Sequence, residues 1–245
     1  MTQRRVLVID DEKPTLEMFE LFLDAYGYEV LLAENGTQGL DLFDTHTPSI
    51  VFTDIKMPGM DGIQVLDAIK ARAPDTEVII MTGHGDMDLA VEALNHEATD
   101  FINKPISRSA LAAALRRAEE RLGAARGPVS IAGCRLEDGI CIIEILGNIN
   151  AGAEQELMSV YGKAGAEESI PVLLDFKENS AINGAGIAVL IQLLSDSRKR
   201  NQTAAISGMS ENFQAIFRMV GITRFAEVFT AKEEAMAYLK DKSQK

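Results

Sequence analysis

The 245-residue chain has few of the groups that announce a metal centre, a disulfide framework or a membrane span. Its only two cysteines, Cys134 and Cys141, lie seven apart with no CxxC spacing. That spacing argues against dithiol redox and zinc-thiolate sites, so buried, reduced thiols are expected. The three histidines, His46, His84 and His96, form no metal-ligand pattern. No stretch approaches the ~18 uninterrupted apolar residues of a membrane span. Met1-Thr2-Gln3-Arg4-Arg5 runs straight into a strand without the apolar core of a signal peptide, so a cytoplasmic protein is expected. Positive charge is also scarce. The net charge is −13; residues 1–122 hold 11 Lys and Arg against 22 Asp and Glu, and residues 123–245 hold 13 against 15. Neither half has the basic surplus of a nucleic-acid binder. The one basic run, Arg198-Lys199-Arg200, ends a predicted helix, where cations complement the helix dipole.

What is present organises into two halves. Hydrophobic residues make up 47% of the chain, enough for real cores, and the length suits one large domain or two ordinary ones. The first half alternates β-rich runs (5–9, 28–32, 49–53, 77–81, 99–102) with amphipathic segments (14–26, 36–45, 62–72, 87–95, 107–122). Five βα units in order predict a doubly wound five-stranded parallel sheet. Gly123-Ala124-Ala125-Arg126-Gly127-Pro128 breaks helical periodicity. The boundaries expected are therefore a first domain at 1–122, a linker at 123–129 and a second domain at 130–245. The second half opens with β-rich runs 129–136 and 139–146 around the turn signal Glu137-Asp138-Gly139, an opening β-hairpin. Helices at 151–166, 184–200, 210–220 and 231–240 then alternate with strands at 170–176, 203–207 and 226–229, a second α/β domain.

Four apolar runs of the first half end in chemistry-bearing residues: Asp10-Asp11, Asp54, Thr82 and Lys104-Pro105. Parallel strands would gather their C-terminal ends in one crevice, where ligands bind in open α/β sheets. Three carboxylates together repel; at ~4 Å and an effective dielectric near 20, each pair costs about 4 kcal/mol. A hard divalent cation removes that cost, and Mg²⁺ takes oxygen ligands. Lys104 is placed to pair with Asp54 at rest and with a phosphoryl group on it afterwards, and Thr82 to donate a hydroxyl bond to that group. Singly, each signal has an ordinary reading: Asp10-Asp11 as a helix cap, Asp54 as a loop residue, Thr82-Gly83 as a turn and Lys104-Pro105 as a strand stop. It is the four together, in this order, that point to phosphoryl chemistry.

The signatures Val6-Leu7-Val8-Ile9-Asp10-Asp11, Asp54-Ile55-Lys56-Met57-Pro58-Gly59-Met60-Asp61-Gly62, Met81-Thr82-Gly83 and Lys104-Pro105 give residues 4–122 a specific likeness. They resemble the receiver domain of two-component response regulators, with its flavodoxin-like fold. The resemblance implies that Asp54 accepts phosphate from a sensor histidine kinase. It implies Mg²⁺ bound by Asp10, Asp11, Asp54 and the backbone carbonyl of Lys56, with Thr82 and Phe101 as switch residues. It also implies a possible homodimer through about 87–115. One departure is Glu97, where the family usually has glycine; a positive φ is strained for Glu, so a local backbone adjustment is expected.

In the second half the main signal is Leu173-Leu174-Asp175-Phe176 followed by a polar loop and Asn183-Gly184-Ala185-Gly186-Ile187. Small residues at a helix start let a phosphate or another backbone approach closely; a plain strand–loop–helix turn is the alternative. With the opening hairpin and Gly147-Asn148-Ile149-Asn150-Ala151, residues 130–242 resemble the STAS domain of anti-sigma-factor antagonists, stressosome proteins and anion-transporter tails. The resemblance implies a partner-binding loop containing Ser180, Asn183, Gly184 and Gly186, and an anti-sigma factor or related serine kinase as partner. In regulated antagonists the loop carries a serine that the partner kinase phosphorylates. Gly184 stands at that position without a hydroxyl, and Asn183 stands in place of the preceding aspartate. Ser180 is a secondary candidate, more simply read as a turn residue. The combined expectation is a response regulator with a protein-binding output, not an enzyme that turns over a substrate. The alternative is a stressosome-like scaffold built by STAS–STAS packing. A small-ligand sensor ranks lower, because no cofactor motif appears.

Overall fold

The computed structural model describes residues 4–83, 85–124, 132–149, 151–164, 170–177, 180 and 182–243. His84, Asn150, Glu178, Asn179, Ala181 and most of the expected linker lie outside the described residues. The chain forms two compact units, Met1–Gly123 and Ala124–Lys245.

In the first unit, β1 (Arg5–Ile9), β2 (Glu29–Ala33), β3 (Ile50–Asp54), β4 (Glu77–Thr82) and β5 (Asp100–Asn103) form one sheet in the order β2-β1-β3-β4-β5. Every pairing is parallel. The sheet is buried on both faces, as a parallel sheet must be, and β3 and β4 are buried at every position. Helix α1 (Lys13–Ala25) and α5 (Arg108–Ala124) cover one face through Leu16, Phe19, Leu23, Leu111 and Leu115. The Phe19 and Phe52 rings meet there, 5.1 Å between centroids. Helices α2 (Gly36–His46), α3 (Gly62–Arg72) and α4 (Met87–Asn95) supply the remaining crossovers. At the end of the sheet away from the strand tips, Arg121 of α5 pairs with Glu77 of β4 at 2.8 Å, both side chains almost wholly buried. Arg117 pairs with Asp100 of β5 at 2.6 Å. These two pairs tie α5 to the sheet.

In the second unit the order is β10-β9-β8-β7-β6. Strands β6 (Ala132–Glu137) and β7 (Ile140–Ile145) are the antiparallel hairpin; its turn residues Asp138 and Gly139 have φ of 52° and 76°. The rest of the sheet, β8 (Val172–Phe176), β9 (Ala204–Ser207) and β10 (Glu227–Val228), is parallel. Helix α6 (Glu154–Ala164) follows a short 3-10 turn; α7 (Gly184–Lys199), α8 (Glu211–Met219) and α9 (Lys232–Ser243) complete the unit. Ala235, Met236 and Leu239 of α9 bury Ile140, Ile142, Leu173 and Ala205. No helix among the described residues is long and apolar enough to cross a membrane.

Two expectations are corrected. Cys141 is buried, but Cys134 is exposed, as are Arg135 and Leu136 beside it on the edge strand β6. Glu97 makes no backbone adjustment. It keeps the left-handed conformation, φ 67°, in which glycine is easier.

Gly186 of α7 fixes how that helix meets the sheet: a Cβ there would stand 2.0 Å from the carbonyl oxygen of Ile149. Overpacking at a site bounded by backbone costs about 1–3 kcal/mol. Gly186→Ala should therefore lower the unfolding free energy of the second unit by an amount in that range, read as a lower urea midpoint at unchanged slope.

Candidate functional site

Strands β1 and β3 are neighbours, and β1 lies between β2 and β3, so the chain reverses direction across the sheet at this pair. A crevice opens at such a switch point beyond the carboxyl ends of the strands. Asp10 leaves β1 there, and Asp54 ends β3. Asp10 is wholly buried and Asp54 is 5% exposed. Neither Asp10 nor Asp11 caps α1; the residue before that helix is Glu12, whose side chain makes no capping bond. Asp10 Oδ1 instead accepts the Glu12 backbone N–H at 2.9 Å. Asp54 Oδ2 accepts the Lys56 backbone N–H at 3.2 Å.

Lys104, just past β5, reaches back across the strand ends. Its Nζ lies 2.8 Å from Asp54 Oδ1, 2.9 Å from Asp10 Oδ2 and 3.3 Å from Glu12 Oε2. Thr82 ends β4 wholly buried, and its hydroxyl donates to the Gly83 carbonyl at 3.2 Å. Phe101 of β5 is buried. The strand ends thus bring Asp10, Asp54, Thr82 and Lys104 to one place, with Asp11 exposed at the rim, while Phe101 lies within β5, three residues before Lys104. Two groups escaped the sequence reading: Glu12, the third carboxylate on Lys104, and Asp86, which pairs with Lys56 at 2.6 Å. Neither carries a motif of its own. Gly62 has a structural part as well. A Cβ there would stand 2.2 Å from the Asp54 carbonyl oxygen, so only glycine lets α3 begin against the backbone that carries Asp54.

The electrostatics follow from one ammonium shared by two buried carboxylates. Burial raises the pKa of Asp10 and of Asp54; the Lys104 bond pulls each back only in part. Burial opposes the charge on Lys104, but its bonds to Asp54 and Asp10 outweigh that and its pKa is raised. Asp10 Oδ2 has the ammonium in ion-pair range, yet no well-directed hydrogen bond. The two buried carboxylates are one positive charge short, and Glu12 and Asp11 add to the negative excess. An all-oxygen donor set with unbalanced negative charge suits Mg²⁺. Among the described residues, no three His, Cys, Asp or Glu side chains already stand around a common point. The fit therefore rests on Asp10, Asp11, Asp54 and the Lys56 carbonyl as donors, and on that missing charge.

In the second unit the loop residues divide by what they do. Asn183 caps α7, its side chain accepting the Gly186 N–H at 2.9 Å. Gly186 is buried against the Ile149 backbone. Ser180 is half-buried, and its hydroxyl donates to the Lys177 carbonyl at 2.6 Å. Of the expected binding loop, Asn183, Gly186 and Ser180 are engaged in building the turn and the helix start. Gly184 remains part-exposed beside exposed Ala185.

The family model described as the response regulator receiver domain matches residues 6–116, and that of the STAS domain matches 134–235. Residues 6–116 are a response regulator receiver domain and residues 134–235 a STAS domain. The chain is 38% identical over 122 residues to the transcriptional regulatory protein FixJ of Bradyrhizobium diazoefficiens, covering 48% of this chain and 60% of that protein. It is 38% identical over 116 residues to the C4-dicarboxylate transport transcriptional regulatory protein DctD of Rhizobium meliloti, covering 47% of this chain and 25% of that one. Among solved structures, a response regulator receiver domain protein from Clostridium thermocellum is 37% identical, covering 50% of this chain and 98% of its own, with a TM-score of 0.48. The chain spans 60% and 25% of the length of these two curated relatives.

The raised carboxyl pKa values fix a sign. An aspartate whose folded pKa exceeds its unfolded value contributes stability that is fully present below the unfolded value, about 3.9, and lost as pH rises through the folded one. In metal-free buffer, Asp10 and Asp54 therefore oppose the receiver fold increasingly as pH rises above about 4. Asp54→Asn should melt higher than wild type at pH 7, and the difference should shrink as pH falls toward 4. Mg²⁺ should raise the melting temperature of wild type by mass action and raise that of Asp10→Asn much less. Calorimetric melting with and without chelator reads both.

Proposed function

We propose that this receiver is a phosphorylation switch at Asp54 whose output is protein binding by the STAS domain. The observation that carries the reading is the arrangement at Asp54: a nearly buried carboxylate at a strand end, held between the Lys104 ammonium and the Lys56 N–H, beside an all-oxygen donor set short of positive charge. The donor is the phosphohistidine of a sensor histidine kinase. An Asp54 oxygen attacks phosphorus, the P–N bond breaks, and the imidazole leaves with the bonding electron pair and takes a proton. Asp10, Asp11, Asp54 and the Lys56 carbonyl would hold Mg²⁺, which would supply the countercharge that lets two anions meet. Lys104 stays within reach of the new phosphoryl oxygens, and the Thr82 hydroxyl, which donates to the Gly83 carbonyl at rest, turns to them. Hydrolysis returns the switch: water attacks phosphorus, the P–O bond to Asp54 breaks, and carboxylate and inorganic phosphate result.

The exposed start of α7 is the part of the STAS loop offered to a partner, an anti-sigma factor or related serine kinase. Position 184 is glycine, so a partner kinase has no hydroxyl to modify there, and Ser180 is tied into its turn. Control of binding passes to Asp54.

The test is capture of partners from the protein's own lysate with Mg²⁺ alone and with Mg²⁺ plus beryllofluoride, a phosphoryl mimic. A serine-kinase-like protein should be retained in one state only, and Asp54→Asn should respond to neither condition. An identical partner set in all arms, or self-association alone, would contradict the switch. A Gly184→Ser variant should become a substrate for the captured kinase; no phosphate on it would show that this loop is not presented to the kinase.

A further inference from the structure

Among the described residues, at least four helices begin alike. Asn35, Asp61, Asn183 and Ser210 each precede a helix in an extended conformation, and each side chain accepts a backbone N–H three residues on. Asp86 precedes α4 and is among the best capping residue types. Yet it makes no capping bond, and its backbone is not extended, with φ −96° and ψ 30°. Its carboxylate is engaged elsewhere: Oδ1 accepts from Lys56 Nζ at 2.6 Å. Its Oδ2 lies over the Gly83 backbone, close enough that a Cβ on Gly83 would meet it at 3.0 Å.

Lys56 is the other half of the pair. Its backbone N–H is bonded to Asp54 Oδ2, so its main chain is locked to the phosphate acceptor while its side chain is 62% exposed and reaches Asp86. The Asp86 side chain is 18% exposed; a pair this open on its lysine side is weakened and screened by salt. A stronger anion beside Lys56 competes for its ammonium directly. A phosphoryl group on Asp54 is such an anion, adding roughly one unit of negative charge at the residue Lys56 already touches.

We propose that Lys56 is a positioning residue that holds Asp86 away from α4 at rest and moves to the phosphoryl oxygens when Asp54 is modified, which frees Asp86 to cap α4. The inference rests on the phosphorylation of Asp54 proposed above. It gives the change at Asp54 a defined consequence: the first turn of α4 exchanges an uncapped start for a capped one. The backbone N–H groups that gain a partner are those of Asp88 and Leu89, the second and third helical residues. No new contact elsewhere is required, because the same carboxylate serves either lysine or helix.

Two substitutions at one position separate the roles. Asn caps a helix as well as Asp but forms no ion pair, whereas Ala does neither. Hydrogen exchange of the Asp88 and Leu89 amides is the readout, on the full chain. Beryllofluoride with Mg²⁺ should slow these amides roughly five- to tenfold in wild type, the scale of one cap. Asp86→Asn and Lys56→Met should show the slowed rate without beryllofluoride, and Asp86→Ala should show the fast rate with it. Equal behaviour of Asp86→Asn and Asp86→Ala, or wild-type rates in Lys56→Met, would overturn the exchange. These two arms need no phosphoryl group, so they stand apart from the function proposed for Asp54. If beryllofluoride binds Asp54, as the fluorine NMR signal of the bound species reports, and the amides stay fast, the coupling to Asp54 fails while the acceptor role survives.

Discussion

One ammonium, that of Lys104, stands against two buried carboxylates, and the receiver is arranged around that imbalance. Lys104 comes from β5, Asp54 from β3 and Asp10 from β1, so the ion pair spans four adjacent strands of the sheet. Each strand must end in register for the pair to close. The parallel ladder and the two apolar faces fix that register, and Gly62 lets α3 start directly on the Asp54 backbone. A site that lacked one charge by accident would be a defect. Here the shortage sits at the mouth of the switch-point crevice, beside oxygen donors that suit Mg²⁺, with a hydroxyl at its wall. The same burial that makes the resting carboxylates costly makes an added cation and a transferred phosphoryl group strongly felt.

The second unit applies a different constraint. Its loop before α7 is shaped by close backbone packing at Gly186, by the Asn183 cap and by the Ser180 turn bond. Residues that looked like binding groups are largely structural, and the surface they leave is small and uncharged at Gly184 and Ala185. A surface of that kind suits a protein partner's backbone and small side chains more than an ionic ligand. With no hydroxyl at position 184, a partner kinase has nothing to phosphorylate there.

The architecture was legible because two periodicities alternate cleanly: β-rich runs such as Val78-Ile79-Ile80-Met81 against amphipathic segments such as 107–122. The crevice was legible because Asp10, Asp54, Thr82 and Lys104 each follow an apolar run, and parallel strands align such ends. What the sequence concealed depends on lateral position. Whether Cys134 is covered depends on β6 being an edge strand, which no local pattern states. Glu97 adopts the left-handed conformation because the surrounding turn imposes it, against its own preference. Glu12 and Asp86 are ordinary acidic residues until the fold sets them beside Lys104 and Lys56. The burial of Arg121 on Glu77 was hidden because a helix-end arginine usually points to solvent.

The most direct measurement is the chemical mapping of the phosphorylated residue. The protein is phosphorylated by a histidine kinase in the presence of Mg²⁺, the acyl phosphate is reduced with borohydride, and the reduced aspartate is located by peptide mass spectrometry. The account predicts reduction at position 54 alone, abolished by chelation of Mg²⁺ and by Asp54→Asn. Phosphate on another residue, or undiminished labelling of Asp54→Asn, would contradict it.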